Sequence, residues 1–284
     1  MKSALFTRHV PKSVDEAASM LARFAAEDGK VLAGGQSLVP MMALRMARPT
    51  HLIDINEIVG LDKIGSANGW LAIGALVRHG AFHQPVMDGP LGQLLTAVVH
   101  SIGSYPIRMR GTMGGSLAHA DPGSEWCLTA ITLDAELVIR NQVEERRIPS
   151  RSFFKGIMST ALREDELLVE IRFPILPADT TFGFFEFSRR ARDLALAASL
   201  VTYRLHEGRI RDARLGIGGV EPIPRRIPAA EAALNGRRPC RDAFRLAART
   251  AAGGIVPMDD DQISAAYRRD LVETVVQKAL EQSL

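Results

Sequence analysis

Val14, Ala17, Leu21 and Phe24 recur at helical spacing directly after Ser13-Val14-Asp15-Glu16. That tetrapeptide is a capping box: the serine oxygen can accept an N3 amide while Glu16 reaches back. The pattern predicts a helix closed by Gly29. Residues 30–33 and 51–55 are short apolar runs and read as strands, and Asn68-Gly69, between Ile64 and the apolar run 70–75, predicts a tight hairpin. Leu91, Leu94, Leu95 and Val98 define a helix ending near Gly103, followed by a Pro/Arg-rich stretch over 105–110. A helix over 125–133 and strands over 136–140 and 167–173 come next. Pro174 and Pro177 with Ala178-Asp179 read as a linker. Beyond it, 182–188, 198–206 and 210–217 read as antiparallel strands, the last two joined at Glu207-Gly208, and helices follow over 229–234 (ended by Gly236), 242–252 and 263–280. The order predicts an α+β chain with a boundary near 176.

Composition narrows the class. At 284 residues the chain is long enough for two domains by the usual prior of roughly 150 residues each. Its 46% hydrophobic and 24% charged content is that of an ordinary globular protein. A net charge of +3 with scattered arginines gives no footprint for nucleic acid. No apolar run approaches the ~20 residues of a membrane span, and the first eight residues lack the apolar centre of a signal peptide. Cys127 and Cys240 are the only cysteines, with no C-x-x-C, so the chain cannot assemble iron–sulfur clusters or a structural zinc site by itself. A reducing, cytoplasmic setting is the expectation.

Two glycine pairs carry the candidate chemistry. One is Ala33-Gly34-Gly35-Gln36-Ser37-Leu38; the other is Gly111-Thr112-Met113-Gly114-Gly115-Ser116-Leu117-Ala118-His119-Ala120-Asp121. Glycine pairs reach positive φ and let a ligand touch the main chain, so that amides converge on a diphosphate. Neither run is a G-x-G-x-x-G fingerprint or a P-loop. Two cradles so far apart suggest one extended ligand gripped from both sides.

Both runs, in this order, with Leu52-Ile53-Asp54-Ile55 between them and Arg189-Arg190-Ala191-Arg192-Asp193-Leu194-Ala195 after them, resemble the FAD-binding subunit of molybdenum hydroxylases. That family includes the medium subunits of carbon monoxide, quinoline and nicotine dehydrogenases and the FAD domain of xanthine dehydrogenase. The resemblance covers nearly the whole chain. It implies an FAD-binding domain over 1–176 of the vanillyl-alcohol oxidase type, with subdomains of about 1–56 and 57–176, and a small α+β C-terminal flavoprotein domain over 177–284 with an antiparallel sheet. It also implies cofactor contacts at Leu32, Ala33, Gly34, Gly35, Gln36, Ser37, Leu38, Thr112, Gly114, Gly115 and Ser116. Glu125 falls where relatives place an acidic residue, usually aspartate, on the ribityl chain, and Ile102 and Leu168 fall where relatives pack the cofactor's rings. The implied role is electron transfer: from a partner subunit with two [2Fe–2S] clusters, fed by a molybdopterin large subunit, through FAD to NAD⁺, oxygen, a quinone or another carrier. No side chain of this chain need act as acid or base.

Each residue also has a plainer role open to it. Thr112 can be a turn residue and Glu125 the acidic first turn of its helix. His119-x-Asp121 supplies too few ligands for a closed metal site, and Cys127 sits in an apolar helix. The arginines 189, 190 and 192 can be a solvated turn or a docking surface. This chain has Glu186 where many relatives carry lysine or glutamine, and Arg192 where they carry a small or acidic residue. A stand-alone FAD-dependent reductase on the same fold, lacking here the expected serine acid motif, and a flavin-free interaction module are the alternatives.

Overall fold

The computed structural model describes residues 2–260 and 263–284. It begins with a parallel three-stranded sheet in the order β1-β3-β2, formed by β1 (Thr7–His9), β2 (Gly29–Leu32) and β3 (His51–Asp54). Helix α1 (Val14–Phe24) crosses over between β1 and β2. Ser13 Oγ accepts from the Glu16 amide, while the Glu16 carboxylate accepts from the amide of Lys12 at 2.7 Å, one residue before the one a capping box would use. Ala17, Ala18, Leu21 and Phe24 form the buried stripe, and the Phe24 ring stacks on His51 and His9 at 4.0 and 4.5 Å. The left-handed residue that turns the chain out of this helical region is Asp28, with Gly29 already the first residue of β2. After β2 the chain makes a short helix, α2 (Leu38–Ala43), before returning in β3.

The central sheet is antiparallel in the order β4-β5-β10-β6-β7. Its first hairpin joins β4 (Ile64–Ala67) to β5 (Trp70–Gly74) through Asn68 and Gly69, both at positive φ, the conformation that an Asn-Gly turn favours. Helix α3 (Pro90–Val99) follows. Then comes α4 (Tyr105–Arg110), a helix where the sequence pattern showed only a Pro/Arg-rich stretch. Proline is tolerated in a first turn, because its missing N–H would be unpaired there. Arg108 of this helix is buried, and its guanidinium donates to the carbonyls of Ile102 and Gly103 and to His83. Helices α5 (Met113–His119) and α6 (Glu125–Thr132) lead into β6 (Glu136–Arg140) and β7 (Glu145–Pro149). A short helix α7 (Ser150–Phe153) and the small pair β8 (Phe154–Gly156) and β9 (Ser159–Thr160) precede β10 (Leu167–Pro174).

The remaining sheet, β11-β12-β13-β14, is antiparallel: β11 (Thr180–Phe187), β12 (Ala197–His206), β13 (Arg209–Gly218) and β14 (Arg225–Arg226). Helices α8 (Pro228–Leu234), α9 (Arg241–Gly253) and α10 (Ala265–Gln282) close the chain, the last capped by Ser264. The two faces of this sheet serve different cores. Val201, Tyr203 and Leu215 pack with Phe244, Val272 and Val276 of the C-terminal helices. Phe184, Ala198 and Leu200 pack with Trp126 and Leu128 of α6 and Phe173 of the central sheet. Arg226 adds an ion pair of 2.7 Å to Asp134 across the same seam.

Leu200→Ala should cost about 2–5 kcal/mol by removing buried methyls and leaving a cavity. Urea unfolding followed by far-UV circular dichroism and by tryptophan fluorescence should give one coincident transition at a lower midpoint. Two separated transitions would show that the C-terminal sheet does not depend on the core it shares with α6.

Candidate functional site

The two glycine runs meet in space. A Cβ on Gly34 would stand 2.3 Å from the carbonyl oxygen of Arg110 and 2.7 Å from Cα of Gly111, so only glycine permits this crossing of backbones. Gly35 has φ of +72°, which turns the chain into α2. The crossing is tied by a polar chain. Arg78 donates to the Arg110 carbonyl at 2.8 Å and to Asn56 Oδ1 at 2.6 Å. Asn56 Nδ2 in turn donates to the Ala33 carbonyl and to Asp54, and Asp54 pairs with Arg8 at 2.6 Å. Burial alone would raise the Asp54 pKa, but hydrogen bonds from Asn56 and Arg8 outweigh it and hold the carboxyl below its ordinary range. Asn56 and Arg78 were not among the candidates, because nothing local marks two polar residues that act across so many positions.

Beside the crossing opens a cleft of about 790 Å³. Leu32, Ala33, Gly34, Gly35, Gln36, Ser37 and Leu38 line one side, and Thr112, Gly115, Ser116 and Glu125 another. Ile102, with Ile107, Met158, Leu162 and Leu194, supplies apolar wall. Two candidates are not on it. Gly114 lies against Ala75, where a Cβ would stand 2.6 Å from Cα; it lets α5 dock on the end of β5. Leu168 pairs with Ile139 between β10 and β6 and belongs to the core.

The two runs differ chemically. Among the described residues, nothing in the protein accepts from the backbone N–H of Gly35, Gln36, Ser37 or Leu38. These free donors beside a glycine-only surface fit an anionic, phosphate-bearing group. The second run is instead helical, and its amides are used internally: Met113 donates to Val77, Gly114 to Ala75, and Gly115 to Thr112 Oγ1 at 3.0 Å. The expectation of a positive-φ glycine cradle there is therefore corrected. A capped helix start satisfies the donors that a cradle would leave free. Ser116 is likewise engaged, its hydroxyl lying 2.7 Å from that of Ser124, the cap of α6.

His79, absent from the candidates, also lines the cleft. Trp126 Nε1 can only donate, so the His79 Nδ1 at 3.0 Å accepts. Burial, with Arg78 and Arg108 adding to it, pushes the imidazole down to about 4, which leaves it neutral with its proton on Nε2. That nitrogen lies under Gly111, where a Cβ would stand 2.6 Å away. Asp121 closes its own loop by accepting from the Gly123 amide, and among the described residues no cluster of three or more metal-ligating side chains includes His119. Cys127 is fully buried, and burial pushes its thiol up to about 12. Arg189, Arg190 and Arg192 are exposed, and Arg192, at φ of 76°, reaches the rim of the cleft with Asp193.

The family described as the FAD binding domain in molybdopterin dehydrogenase matches residues 4–176, and the CO dehydrogenase flavoprotein C-terminal domain matches residues 183–283. The chain belongs to this flavoprotein family. It is 34% identical over 276 residues to the carbon monoxide dehydrogenase medium chain of Hydrogenophaga pseudoflava, covering 97% of this chain and 96% of that one. It is 32% identical to the nicotine 6-hydroxylase medium subunit of Paenarthrobacter nicotinovorans, covering 95% and 94%. Among solved structures, H. pseudoflava carbon monoxide dehydrogenase lacking the Mo-pyranopterin moiety superposes with a TM-score of 0.94 at 36% identity, covering 100% of this chain and 98% of that one. Quinoline 2-oxidoreductase from Pseudomonas putida 86 superposes at 0.92 with 31% identity, covering 100% and 98%. The protein is thus an FAD-binding medium subunit of the molybdenum hydroxylase type, an oxidoreductase component with the α+β fold expected from its sequence.

Gly115→Val should abolish flavin retention in a folded chain. Its Cβ would press on Thr112 Oγ1 at 2.7 Å, and its methyls would extend toward Ala33 across the cleft. The lost cap costs only about 1 kcal/mol. Unchanged circular dichroism with no flavin absorbance after incubation with FAD is the expected result. Stoichiometric flavin in the folded variant would remove Gly115 from the site.

Proposed function

We propose that this subunit carries electrons between a partner and an external acceptor through FAD held in the cleft beside the Gly34 crossing. The free amides at 35–38 would hold the diphosphate, with the Thr112 hydroxyl facing it, and Ile102 would wall the ring system. Leu32, Ala33, Gly115, Ser116 and Glu125 would complete the contacts. Bound FAD supplies the redox chemistry; the protein supplies position and electrostatics. The observation that carries this reading is the set of unpaired backbone donors in a glycine-only crossing, in a chain of this family.

The electrons would come from an iron–sulfur subunit with two [2Fe–2S] clusters, served by a molybdopterin large subunit. Two cysteines cannot ligate two such clusters, which take about four each. The quinoline and nicotine enzymes named above support a partner that holds the organic substrate. The exposed arginines at 189, 190 and 192, the last of them at the rim of the cleft, are the proposed contact for that partner or for an anionic acceptor. We place the division of the chain near residue 176 and the complex in the cytoplasm, where no membrane-crossing helix is needed; among the described residues none is long and apolar enough to be one.

The purified chain should bind one FAD, released into the supernatant on acid precipitation. Yellow colour staying with the pellet would contradict non-covalent binding. Alone, the loaded chain should fail to oxidise any organic substrate of the native complex, while the complex isolated with its iron and molybdenum turns that substrate over. Substrate oxidation by the isolated subunit would refute the division of labour.

A further inference from the structure

The cleft contains two buried glutamates in opposite circumstances. Glu166 has a side chain only 1% exposed, yet Arg146 binds it with two hydrogen bonds of 2.6 Å, and the Arg163 amide adds a third. Burial would raise its pKa, but these bonds outweigh it and keep the carboxyl below its ordinary value. Glu125 is buried too, at 6% exposure, and among the described residues no side chain bonds to its carboxyl; Thr129 Oγ1 donates to its main-chain carbonyl instead.

The surroundings of Glu125 add negative charge. It opens α6, and the strands β12 and β13 pack against that helix. Glu186 sits on β11 opposite Ala198 of β12, with Oε2 buried and without a partner. The charges acting on Glu125 are Glu186, from that sheet, and Asp121, from the loop before the helix. His119, Arg192 and Asp193 line the same cleft farther along its wall. A buried carboxyl with no cation bonded to it and a second acid acting on it ionises at a cost. Burial first, then the Glu186 charge and Asp121, pushes Glu125 up to about 8, and burial pushes Glu186 up to about 7. The helix start and the Glu125 amide favour the anion but do not overcome this.

We propose that Glu125, buried on the cleft wall with no cation bonded to it, keeps its proton at neutral pH and presents a carboxylic O–H to the bound FAD as a hydrogen-bond donor rather than an anionic acceptor. The proposal rests on the cleft being the FAD site. It gives the protein a proton stationed at the cofactor where an ionised acid would offer only lone pairs. It also gives Glu186 a purpose: an acid buried on a strand with an unpaired oxygen holds its neighbour protonated.

Both groups bind their proton more tightly in the folded chain than at their ordinary value of 4.5, so the folded state loses stability as pH rises from there through about 8. FAD affinity should weaken over the upper part of that range, with Kd rising toward about tenfold per pH unit above about 8.

The test has two independent readouts. Infrared difference spectra of the FAD-free protein at pH 7 should show a protonated carboxyl band that loses the Glu125 share in Glu125→Gln and keeps only the part due to Glu186. The whole band should be lost in Glu186→Lys, whose ammonium lets Glu125 ionise. FAD titration should give a pH-dependent Kd for the native chain, a Kd without that pH dependence for Glu125→Gln, whose amide donates at every pH, and a step moved to lower pH for Glu186→Gln. No carboxyl band in the native protein, or a Kd flat from pH 6 to 9.5, would overturn the proposal. A band with no FAD binding at any pH would instead overturn the flavin site, and the donor role with it.

Discussion

Gly34 lies so close to the backbone of Arg110 and Gly111 that any side chain there would push apart two segments whose separation creates the site. The first run leaves β2 at the edge of the parallel sheet, and the second enters α5 from the antiparallel half. Their contact sets how the two sheets sit around the cleft. Arg78 and Asn56 tie the crossing with hydrogen bonds to main-chain carbonyls on both sides, and Asp54 anchors them to Arg8 on β1. A network in which each member satisfies the next is rigid as a unit, and removing one member strands the others. Free amides at 35–38 are tolerable because the turn that carries them is held from outside.

The second half of the molecule contributes to the site through packing. The sheet β11–β14 buries one face against α6, and the charge of Glu186 on β11 acts on Glu125 in that helix. The loop between β11 and β12 brings Arg192, Asp193 and Leu194 to the cleft rim. The family's C-terminal domain therefore supplies part of the cleft wall and shares the core beneath it.

Electrostatics inside the cleft is set by which acids find a cation. Glu166 has Arg146 and is held as a carboxylate; Glu125 has Glu186 and is driven toward the neutral acid. The neutral His79, with its proton on Nε2, follows from a donor-only partner, Trp126, and two nearby arginines. These states come from neighbours far apart in the chain.

Local chemistry in the sequence determined a good deal. The capped α1, the Asn68-Gly69 hairpin, the three long antiparallel strands of the last sheet and the helices after them all declare themselves in short windows, because apolar period and turn residues act over a few positions. The first glycine run was legible for the same reason: its positive φ at Gly35 and its free amides are properties of one turn. The second run was legible as a location but not as a conformation. Thr112 caps a helix there, and that outcome depends on Val77 and Ala75 carbonyls arriving from β5 and the segment after it. Helix α4 was hidden because its stability comes from Arg108 reaching carbonyls and His83 outside it. Gly114 and Leu168, expected at the cofactor from the resemblance, lie outside the cleft lining, Gly114 against Ala75 and Leu168 paired with Ile139 in the central sheet. Only the tertiary structure decided the meeting of Gly34 with Arg110, the Asn56–Arg78 tie, and the pairing of Glu125 with Glu186, since each joins residues whose proximity exists only once the sheets have packed.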